Sequence, residues 1–292
     1  MRLIIGISGA SGVIYGIRLL ELLAQQTEVE TQQETLDIIY QDEYLVAVQK
    51  PAGLLVHKSP IDRHEKRYAM KILRNQIGQW VYPVHRLDKP TSGLLLFTLD
   101  KDSARLVSQQ FEQHLIDKEY LAVVRGFTKP EGVIDYPLNE IAVFKHLEKS
   151  IEQKEAKPSV THFKTLKHYI LPYSDGHFEQ CRYSLVKLFP KTGRKHQIRR
   201  HLKHISHPIV GDVKHGRGEH NRLFKTHMDS HRLLLAAQTM TLTHPVTNER
   251  LHLDCPIETN FQQLLERLAP YQTSDFNTET KTDTTNETKS KQ

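Results

Sequence analysis

The chain has 292 residues and 38% hydrophobic content, so its length allows one large domain or two modest ones with a sizeable core. Its two cysteines exclude a disulfide framework and no CxxC pair is present, which favours a reducing, cytoplasmic compartment. The net charge of +6 favours a polyanionic partner such as nucleic acid, although charge describes association and neither fold nor chemistry.

The charge is unevenly distributed along the chain. Residues 1–32 contain two cations and three acids, and residues 273–292 contain three cations and four acids. The middle of the chain therefore carries a charge of +8. No apolar run approaches the ~20 residues that span a bilayer, and glycine and serine interrupt the N-terminal apolar stretch too early for a signal peptide. We expect no membrane segment.

Three stretches of the chain differ in character, and we predict their limits as residues 1–32, 33–272 and 273–292. The first contains a strand at residues 3–5, a glycine-rich turn, and a helix over about residues 13–24. The second mixes short strands, turns and a few helices. The last is polar and threonine-rich, which predicts a disordered tail.

Within the second stretch, two short strands around a turn are predicted over residues 37–49, an apolar strand over 94–98 and a helix over 103–114. Residues 121–124 and 184–188 have the composition of further strands. Because strands outnumber helices and do not alternate with them regularly, the sequence predicts an α+β fold built on a mainly antiparallel sheet.

The segment HRLDKPTSG, at residues 85–93, is the most informative in the chain. It places Asp88 beside two cations in a turn rich in proline, glycine, threonine and serine, and the turn leads directly into the apolar strand. Loops held by a rigid scaffold often carry catalytic groups. Asp88 is therefore a candidate catalytic carboxylate, and the alternative is an ordinary turn or a salt bridge with Arg86.

A second segment combines a long acid-free window with many cations. No acidic residue occurs between Gln180 and Gly211. Ile198, Leu202 and Ile205 share one helical face, so the cations are expected on the opposite face, where they would contact phosphates unless they form an ordinary solvated surface. The cations of this window are Arg182, Lys187, Lys191, Arg194, Lys195, Arg199, Arg200 and Lys203.

The eighteen histidines do not predict a metal site. There is no HExxH motif, and the most closely spaced histidines are His196, His201, His204 and His207. They lie in or just after the basic helix, where nearby cations oppose metal binding. Two further features have ordinary structural interpretations: Tyr120 enters an apolar strand, which is typical of core, and residues 207–212 (HPIVGD) are consistent with a turn and a strand.

Six motifs occur in order over roughly 200 residues. They are KPAGLLVH (50–57), HRLDKPTSGLLL (85–96), KEYLAVVRG (118–126), KTGRKHQIRRHL (191–202), HPIVGD (207–212) and THP (243–245). Together they resemble the RluA-type family of pseudouridine synthases, and the intervening residues are most similar to the branch that modifies uridine 65 in the tRNA acceptor stem. The resemblance implies that residues 33–272 form a catalytic domain, with a mixed, mainly antiparallel sheet flanked by helices and a central RNA-binding cleft.

The resemblance also implies roles for residues at matching positions. Asp88 matches the catalytic aspartate, and Arg86 matches the arginine that enters the RNA and helps to hold the flipped-out nucleotide. Tyr120 matches the aromatic residue packed against the target base. Arg199 matches the arginine that pairs with the catalytic carboxylate, and Ile198 would pack on the base. RNA phosphates would be bound by Lys191, Arg194, Lys195, Arg200 and Lys203.

One position departs from the pattern of the family. Family members commonly have leucine-histidine-alanine before a late strand, whereas this chain has Leu235, Ala236 and Ala237. No catalytic role depends on the missing histidine, whose loss would remove a local hydrogen bond.

The implied activity is the isomerisation of a specific uridine in RNA, most closely uridine 65 of tRNA, by a monomer that needs no cofactor. The reaction breaks an N–C glycosidic bond and forms a C–C bond to the same sugar carbon, so no electrons leave and no group is transferred. Asp88 would act as a nucleophile on the sugar or the base, although a carboxylate also stabilises a cationic sugar in glycoside hydrolysis. The alternatives are another tRNA or rRNA uridine, and a non-catalytic RNA-binding module.

The N-terminal stretch has a resemblance of its own. Residues 6–12 (GISGASG) lie between the predicted strand and helix, an arrangement that binds phosphate at a helix N-terminus. Residues 1–23 are similar to the start of flavin prenyltransferases, whose loop binds the phosphate of flavin mononucleotide. One strand and one helix cannot build a flavin site, so we expect a non-functional fragment that arose from a fusion or a misplaced start codon.

Overall fold

The computed structural model describes residues 34–58, 64–140 and 155–273. The strands are β1 (Asp37–Gln41), β2 (Leu45–Lys50), β3 (Tyr82–Pro83), β4 (Ser92–Thr98), β5 (Asp117–Arg125), β6 (Glu131–Asp135), β7 (Val160–Leu171), β8 (Cys181–Pro190), β9 (Leu235–Thr243), β10 (Arg250–Asp254) and β11 (Gln272–Thr273). The helices are α1 (Ala69–Ile77), α2 (Lys101–Glu112), α3 (Gln197–His204), α4 (Gly218–His227) and α5 (Thr259–Leu268).

One mixed sheet connects the strands of the described residues. Its main path runs β1-β2-β4-β9-β5-β8-β7-β11, with β3 beside β4, β10 beside β9 and β6 beside β7. The strands pair antiparallel except for β4 and β9, which are parallel. The predicted α+β class with a mainly antiparallel sheet is confirmed.

The parallel contact between β4 and β9 is short and depends on glycine. Ser92 is paired with Ala236, and Gly93 is paired with Ala237. Gly93 has a φ of 101°, and a Cβ at this position would collide with the backbone carbonyl of Ala237. A larger residue would therefore push β4 away from β9 and displace the strand that follows the Asp88 turn.

The buried apolar residues form two cores. One contains residues of β2, β4, α1, α2 and the second half of β9, and the other contains residues of β5, β7, β8, α3, α4 and α5. Tyr120, in β5, packs against both cores. This tyrosine therefore lies where the two halves of the fold meet.

The elements predicted for the middle of the chain are confirmed, with shifts at their ends. Residues 37–49 form the hairpin of β1 and β2. The predicted helix at 103–114 begins earlier, at Lys101, because the Asp100 carboxylate accepts a hydrogen bond from the backbone N–H of Ser103 at 2.8 Å and so caps α2.

Two predicted segments lie largely outside the described residues. They are the strand, turn and helix expected within residues 1–32, and residues 274–292 of the expected tail. Thr273, the first residue of that tail, pairs with His168 of β7, so the sheet extends one residue past the predicted boundary. Among the described helices, none combines the length and the apolar character that crossing a bilayer requires.

Candidate active site

Asp88 lies in the turn between β3 and β4, and a buried lysine holds this turn in place. The fully buried Lys50 ammonium donates hydrogen bonds to the carbonyls of Pro51, Leu54 and Lys89 at 2.9, 2.8 and 3.2 Å. Burial lowers the pKa of Lys50 to about 7. Three donors directed at three carbonyls use the full capacity of an ammonium group. Lys50 therefore ties the chain just after Asp88 to the KPAGLLVH segment.

Arg199, in the first turn of α3, contacts Asp88 across the boundary between the two cores. Its Nη1 donates to Oδ2 of Asp88 at 2.8 Å, although 111 residues separate the two positions in the chain. The Arg199 residue is only 5% exposed, whereas the Asp88 side chain retains 19% exposure. The structure thus brings together the predicted carboxylate and the predicted arginine.

A second carboxylate, Asp212, holds the other edge of the Arg199 guanidinium. Arg199 donates from Nε to Oδ2 of Asp212 at 2.7 Å and from Nη2 to Oδ1 at 2.8 Å, which is a bidentate pair. The backbone N–H groups of Lys214 and His215 also donate to Oδ1 of Asp212, both at 2.9 Å. Asp212 therefore aims Arg199 at Asp88.

These contacts shift the ionisation of the pair that supports Asp88. Burial by itself would lower the pKa of Arg199, but hydrogen bonds to Asp212 and Asp88 outweigh burial and raise this pKa. Burial would raise the pKa of Asp212, but the hydrogen bonds from Arg199 and the backbone lower it. Both residues therefore stay charged, and the Asp212–Arg199 ion pair leads to Asp88.

Sequence reasoning missed Asp212. The residue ends the HPIVGD motif, whose residues are consistent in sequence with a turn and a strand. The expected strand is wrong, because Ile209 makes only an isolated bridge to Val124. One signal was available, because Asp212 is the first acid after the acid-free window from Gln180 to Gly211. An acid that ends such a run is a natural partner for one of its cations.

A cavity of about 700 Å³ opens at the Asp88 carboxylate. Several residues predicted from the sequence line it, namely Arg86, Asp88, Tyr120, Arg194, Lys195, Ile198 and Arg199. The volume lies within the ~300–1,000 Å³ range of small-ligand sites, which is sufficient for one extruded nucleotide. Its walls combine an apolar side, several cations and two carboxylates, Asp88 and the exposed Glu112.

Three of the lining residues differ in how firmly they are held. Tyr120 is packed in β5, and both burial and the charge of Asp88 raise the pKa of its hydroxyl, so the ring is neutral. Ile198, in α3, is 7% exposed and belongs to the core that contains β5 and β8. Arg86 is exposed in the turn before Asp88. Tyr120 and Ile198 thus form fixed apolar walls, and Arg86 lies at the solvent side.

Two lysines of the acid-free window have acidic partners in the folded protein. This corrects the expectation that the cations of the window lie on a face without acids and contact phosphates. Nζ of Lys187 lies 2.9 Å from Oε2 of Glu119, and Nζ of Lys191 lies 3.6 Å from Oδ1 of Asp117. These contacts form because β5 is the neighbour of β8 in the sheet. Strand β5 therefore supplies the acids that the window lacks in sequence.

Helix α3 also differs from the expectation that its cations would all lie on one exposed face. Arg199 is buried by its contacts with two carboxylates, and Nη1 of Arg200 donates to the carbonyl of Asn139 at 2.8 Å. Lys203 is exposed. Of the five residues predicted to bind phosphates, Arg194 and Lys195 line the cavity, whereas Lys191, Arg200 and Lys203 do not.

His196 approaches Asp88 from the start of α3, a contact that sequence reasoning did not identify. Its Nε2 lies 3.8 Å from Oδ1 of Asp88, and its Nδ1 lies 2.9 Å from Nε2 of His215. Burial lowers the pKa of His196 to about 4, so the imidazole is neutral near pH 7. The backbone of His196 is left-handed, with a φ of 55°, which turns the chain into α3 and points the ring at the cavity.

The departure from the family pattern at Leu235, Ala236 and Ala237 lies beside this site. Leu235 lines the cavity, and Ala236 is buried where β9 pairs with Ser92 of β4 and with Leu121 of β5. A small side chain fits this crowded strand junction.

Comparisons with known proteins agree with this geometry. The model of the RNA pseudouridylate synthase family matches residues 44–204. The tRNA pseudouridine synthase C of Vibrio parahaemolyticus is 51% identical over 233 residues, which is 80% of this chain and 94% of the relative. The tRNA pseudouridine synthase C of Haemophilus ducreyi is 46% identical over 241 residues, or 82% of this chain and 99% of the relative.

Solved structures show the same fold. Human RNA pseudouridylate synthase domain containing 4 is 26% identical, with a TM-score of 0.60, and the match covers 80% of this chain and 93% of that one. Because the family match spans more than half of the chain and relatives near 50% identity are covered almost end to end, the resemblance stated from the motifs is confirmed. The chain belongs to the RNA pseudouridylate synthase family.

Proposed function

We propose that this protein isomerises a uridine of tRNA to pseudouridine and that Asp88 is its catalytic carboxylate. The observation that carries the proposal is the position of Asp88, which is held by Arg199 and lies at the wall of the cavity. Oδ2 accepts the hydrogen bond from Arg199, while the partly exposed carboxylate lies at the cavity wall. Relatives of similar length named tRNA pseudouridine synthase C support tRNA as the substrate class.

The chemistry that this arrangement can perform is an isomerisation. The bond between N1 of uracil and C1′ of the sugar breaks, and its electron pair leaves with the base. After the base turns, a bond forms between C5 and C1′, the proton on C5 is lost, and N1 gains a proton. Product and substrate have the same atoms and the same oxidation state, so no redox partner takes part.

Asp88 has two ways to assist the bond exchange. As a nucleophile at C1′ it would form an ester when N1 departs, and attack by C5 would break that ester and return the electron pair to Asp88. As a nucleophile on the base it would use the same lone pair and be released at the end. Either way the carboxylate must be directed at the reacting atoms, and the contact with Arg199 fixes its orientation. A carboxylate that only stabilises a cationic sugar has the same requirement.

The target uridine must leave its stack before Asp88 can reach it. Extruding a nucleotide costs a few kcal/mol, and stacking of a base on an aromatic ring returns ~1–3 kcal/mol. In our proposal the fixed walls of Tyr120 and Ile198 hold the extruded uracil, and the exposed Arg86 enters the gap left in the RNA. The cavity volume of about 700 Å³ is sufficient for one nucleotide beside these residues.

We propose uridine 65 in the acceptor stem as the target, on the strength of the sequence resemblance to that branch. Pseudouridine mapping of tRNA from cells that lack or express this protein tests the assignment directly. We expect one tRNA position to lose its modification in the deficient cells and to regain it with the wild-type protein but not with Asp88→Asn. Loss at a different tRNA or rRNA position would reject uridine 65, and no loss anywhere would favour an RNA-binding module.

Phosphate contacts by the cations near the cavity predict a defined salt effect. We expect Lys195→Ala to weaken RNA binding and to reduce the slope of log affinity against log salt by ~0.7–0.9 for each lost phosphate contact. The matched control is Lys71→Ala, an exposed lysine of α1 that does not line the cavity. Equal salt slopes for Lys195→Ala and wild type would exclude a phosphate role for Lys195.

The cellular setting follows from the proposed substrate. We place the activity in the cytoplasm, with residues 33–272 as the catalytic domain of a monomer that uses no cofactor, and residues 1–32 without a role in catalysis. Sedimentation of the purified chain checks that it is a monomer, and the activity of a variant lacking residues 1–32 checks that this segment has no role in catalysis.

A further inference from the structure

A cysteine, a histidine and an aspartate converge in a buried cluster outside the catalytic cavity. Asp175 lies in the loop between β7 and β8, Cys181 is the first residue of β8, and His220 is in the first turn of α4. The side chains of Asp175 and His220 are each 4% exposed, and Cys181 is 3% exposed. None of the three lines the catalytic cavity, so the proposed isomerisation does not use them.

The donor atoms of the cluster are close enough to share one ion. Nε2 of His220 lies 3.5 Å from Oδ2 of Asp175, and these atoms and the Cys181 sulfur all lie within 4.8 Å of one another. Two ligand atoms bound ~2 Å from a tetrahedral ion lie ~3.3 Å apart, so the histidine–aspartate spacing already fits. A shift of the sulfur by about an ångström would complete the set.

His220 has an unmet hydrogen-bonding requirement at this point. Its Nε2 is buried without a hydrogen-bond partner, and a buried polar atom left in that state costs ~1–3 kcal/mol. The other ring nitrogen, Nδ1, lies 2.8 Å from the hydroxyl of Tyr183. If Nδ1–H donates to Tyr183, Nε2 carries a lone pair directed into the cluster. That is the tautomer a metal-bound histidine requires.

The surrounding contacts orient the side chains of Asp175 and His220. Oδ1 of Asp175 accepts hydrogen bonds from the backbone N–H groups of His177 and Phe178, each at 2.9 Å, which turns Oδ2 towards His220. The Tyr183 hydroxyl, at 2.8 Å from Nδ1, holds the His220 ring in place. Outer contacts that fix the inner ligands are a regular feature of metal sites.

We propose that Asp175, Cys181 and His220 form a Zn²⁺ site. A thiolate, an imidazole and a carboxylate are all ligands of zinc, and a sulfur ligand disfavours Mg²⁺ and Ca²⁺. Thiolate and carboxylate together neutralise the charge of the ion, which suits a buried position. Arg125 and Arg217 oppose a cation here, and Glu219 at the start of α4 offsets part of their charge.

The site would act as a structural clamp. The ion would tie the loop between β7 and β8 to α4, two parts of the chain that are almost forty residues apart at Cys181 and His220. Most residues of that loop are exposed, so the ion has a path from solvent. Three protein ligands leave a fourth position for water.

Zinc binding to the full, untagged chain tests the proposal. Protein stripped with a chelator and titrated with Zn²⁺ against a chromophoric competitor should bind one ion per chain, and Co²⁺ should give the visible and thiolate-to-metal absorption of a tetrahedral thiolate site. Cys181→Ser and His220→Gln should lower zinc affinity at least ~100-fold. Asp175→Asn, which keeps the turn acceptor on a surface loop, should do so without endangering the fold.

Cys255→Ser is the matched control, because Cys255 is the other buried cysteine and lies outside the cluster. It should retain wild-type zinc affinity and the cobalt spectrum. Failure of the wild-type chain to take up zinc in competition with the chelator would refute the site. So would zinc binding that survives all three cluster substitutions, since surface histidines would then hold the ion. Both outcomes are independent of pseudouridine formation.

Discussion

Asp88→Asn is expected to reduce pseudouridine formation by roughly a thousandfold or more, while RNA affinity stays within about twofold of wild type. Asparagine has the same shape as aspartate and can still accept the hydrogen bond from Arg199, so the fold and the cavity should persist. The amide lacks the negative charge and the nucleophilicity that the proposed bond exchange needs. Single-turnover assays with saturating protein separate this chemical defect from any binding defect.

The control for this substitution is Asp102→Asn, the same change on the exposed surface of α2. It should leave both the rate and the affinity unchanged. Turnover of Asp88→Asn near the wild-type rate would remove Asp88 from the mechanism. Loss of RNA binding in parallel with turnover would instead assign Asp88 to substrate binding.

Asp212→Asn is expected to cost about 3 kcal/mol of unfolding free energy and to slow catalysis as well. The cost lies at the lower end of the range for breaking a buried ion pair, because Arg199 keeps its contact with Asp88. An amide offers only one acceptor and presents an N–H₂ group to the guanidinium, so the bidentate pair is lost. Arg199 then loses the support that aims it at the catalytic carboxylate.

Urea unfolding and single-turnover rates of the folded variant measure the two effects. Asp117→Asn is the matched control, since Asp117 forms only exposed pairs, with Lys191 and with Arg250, and each such pair contributes about 1 kcal/mol or less. An Asp212→Asn variant as stable and as active as wild type would show that Arg199 is positioned by Asp88 alone. A stability loss with an unchanged rate would limit Asp212 to a structural role.

The two predictions differ in what the sequence alone could supply. Asp88 is visible in the sequence because its turn is marked by Pro90 and Gly93 and is followed by a wholly buried strand. The role of Asp212 is not visible in the sequence, because the only local feature around it is a turn. Its role depends on Arg199, which lies opposite it only after folding. The salt bridges of Lys187 and Lys191 could not be predicted for the same reason, because their acidic partners are on β5, far away in the chain.

The amino-acid sequence by itself determined the class of fold, the order of most strands and helices in the middle of the chain, and the motifs that place it in its family. These features depend on periodicity, turn residues and short spacings, which are local. Only the tertiary structure decided which charges neutralise one another, that Asp212 supports Arg199, that His196 faces Asp88, and that Asp175, Cys181 and His220 meet. Contacts of this kind follow from the register of paired strands and the docking of helices, and neither can be read from neighbouring residues.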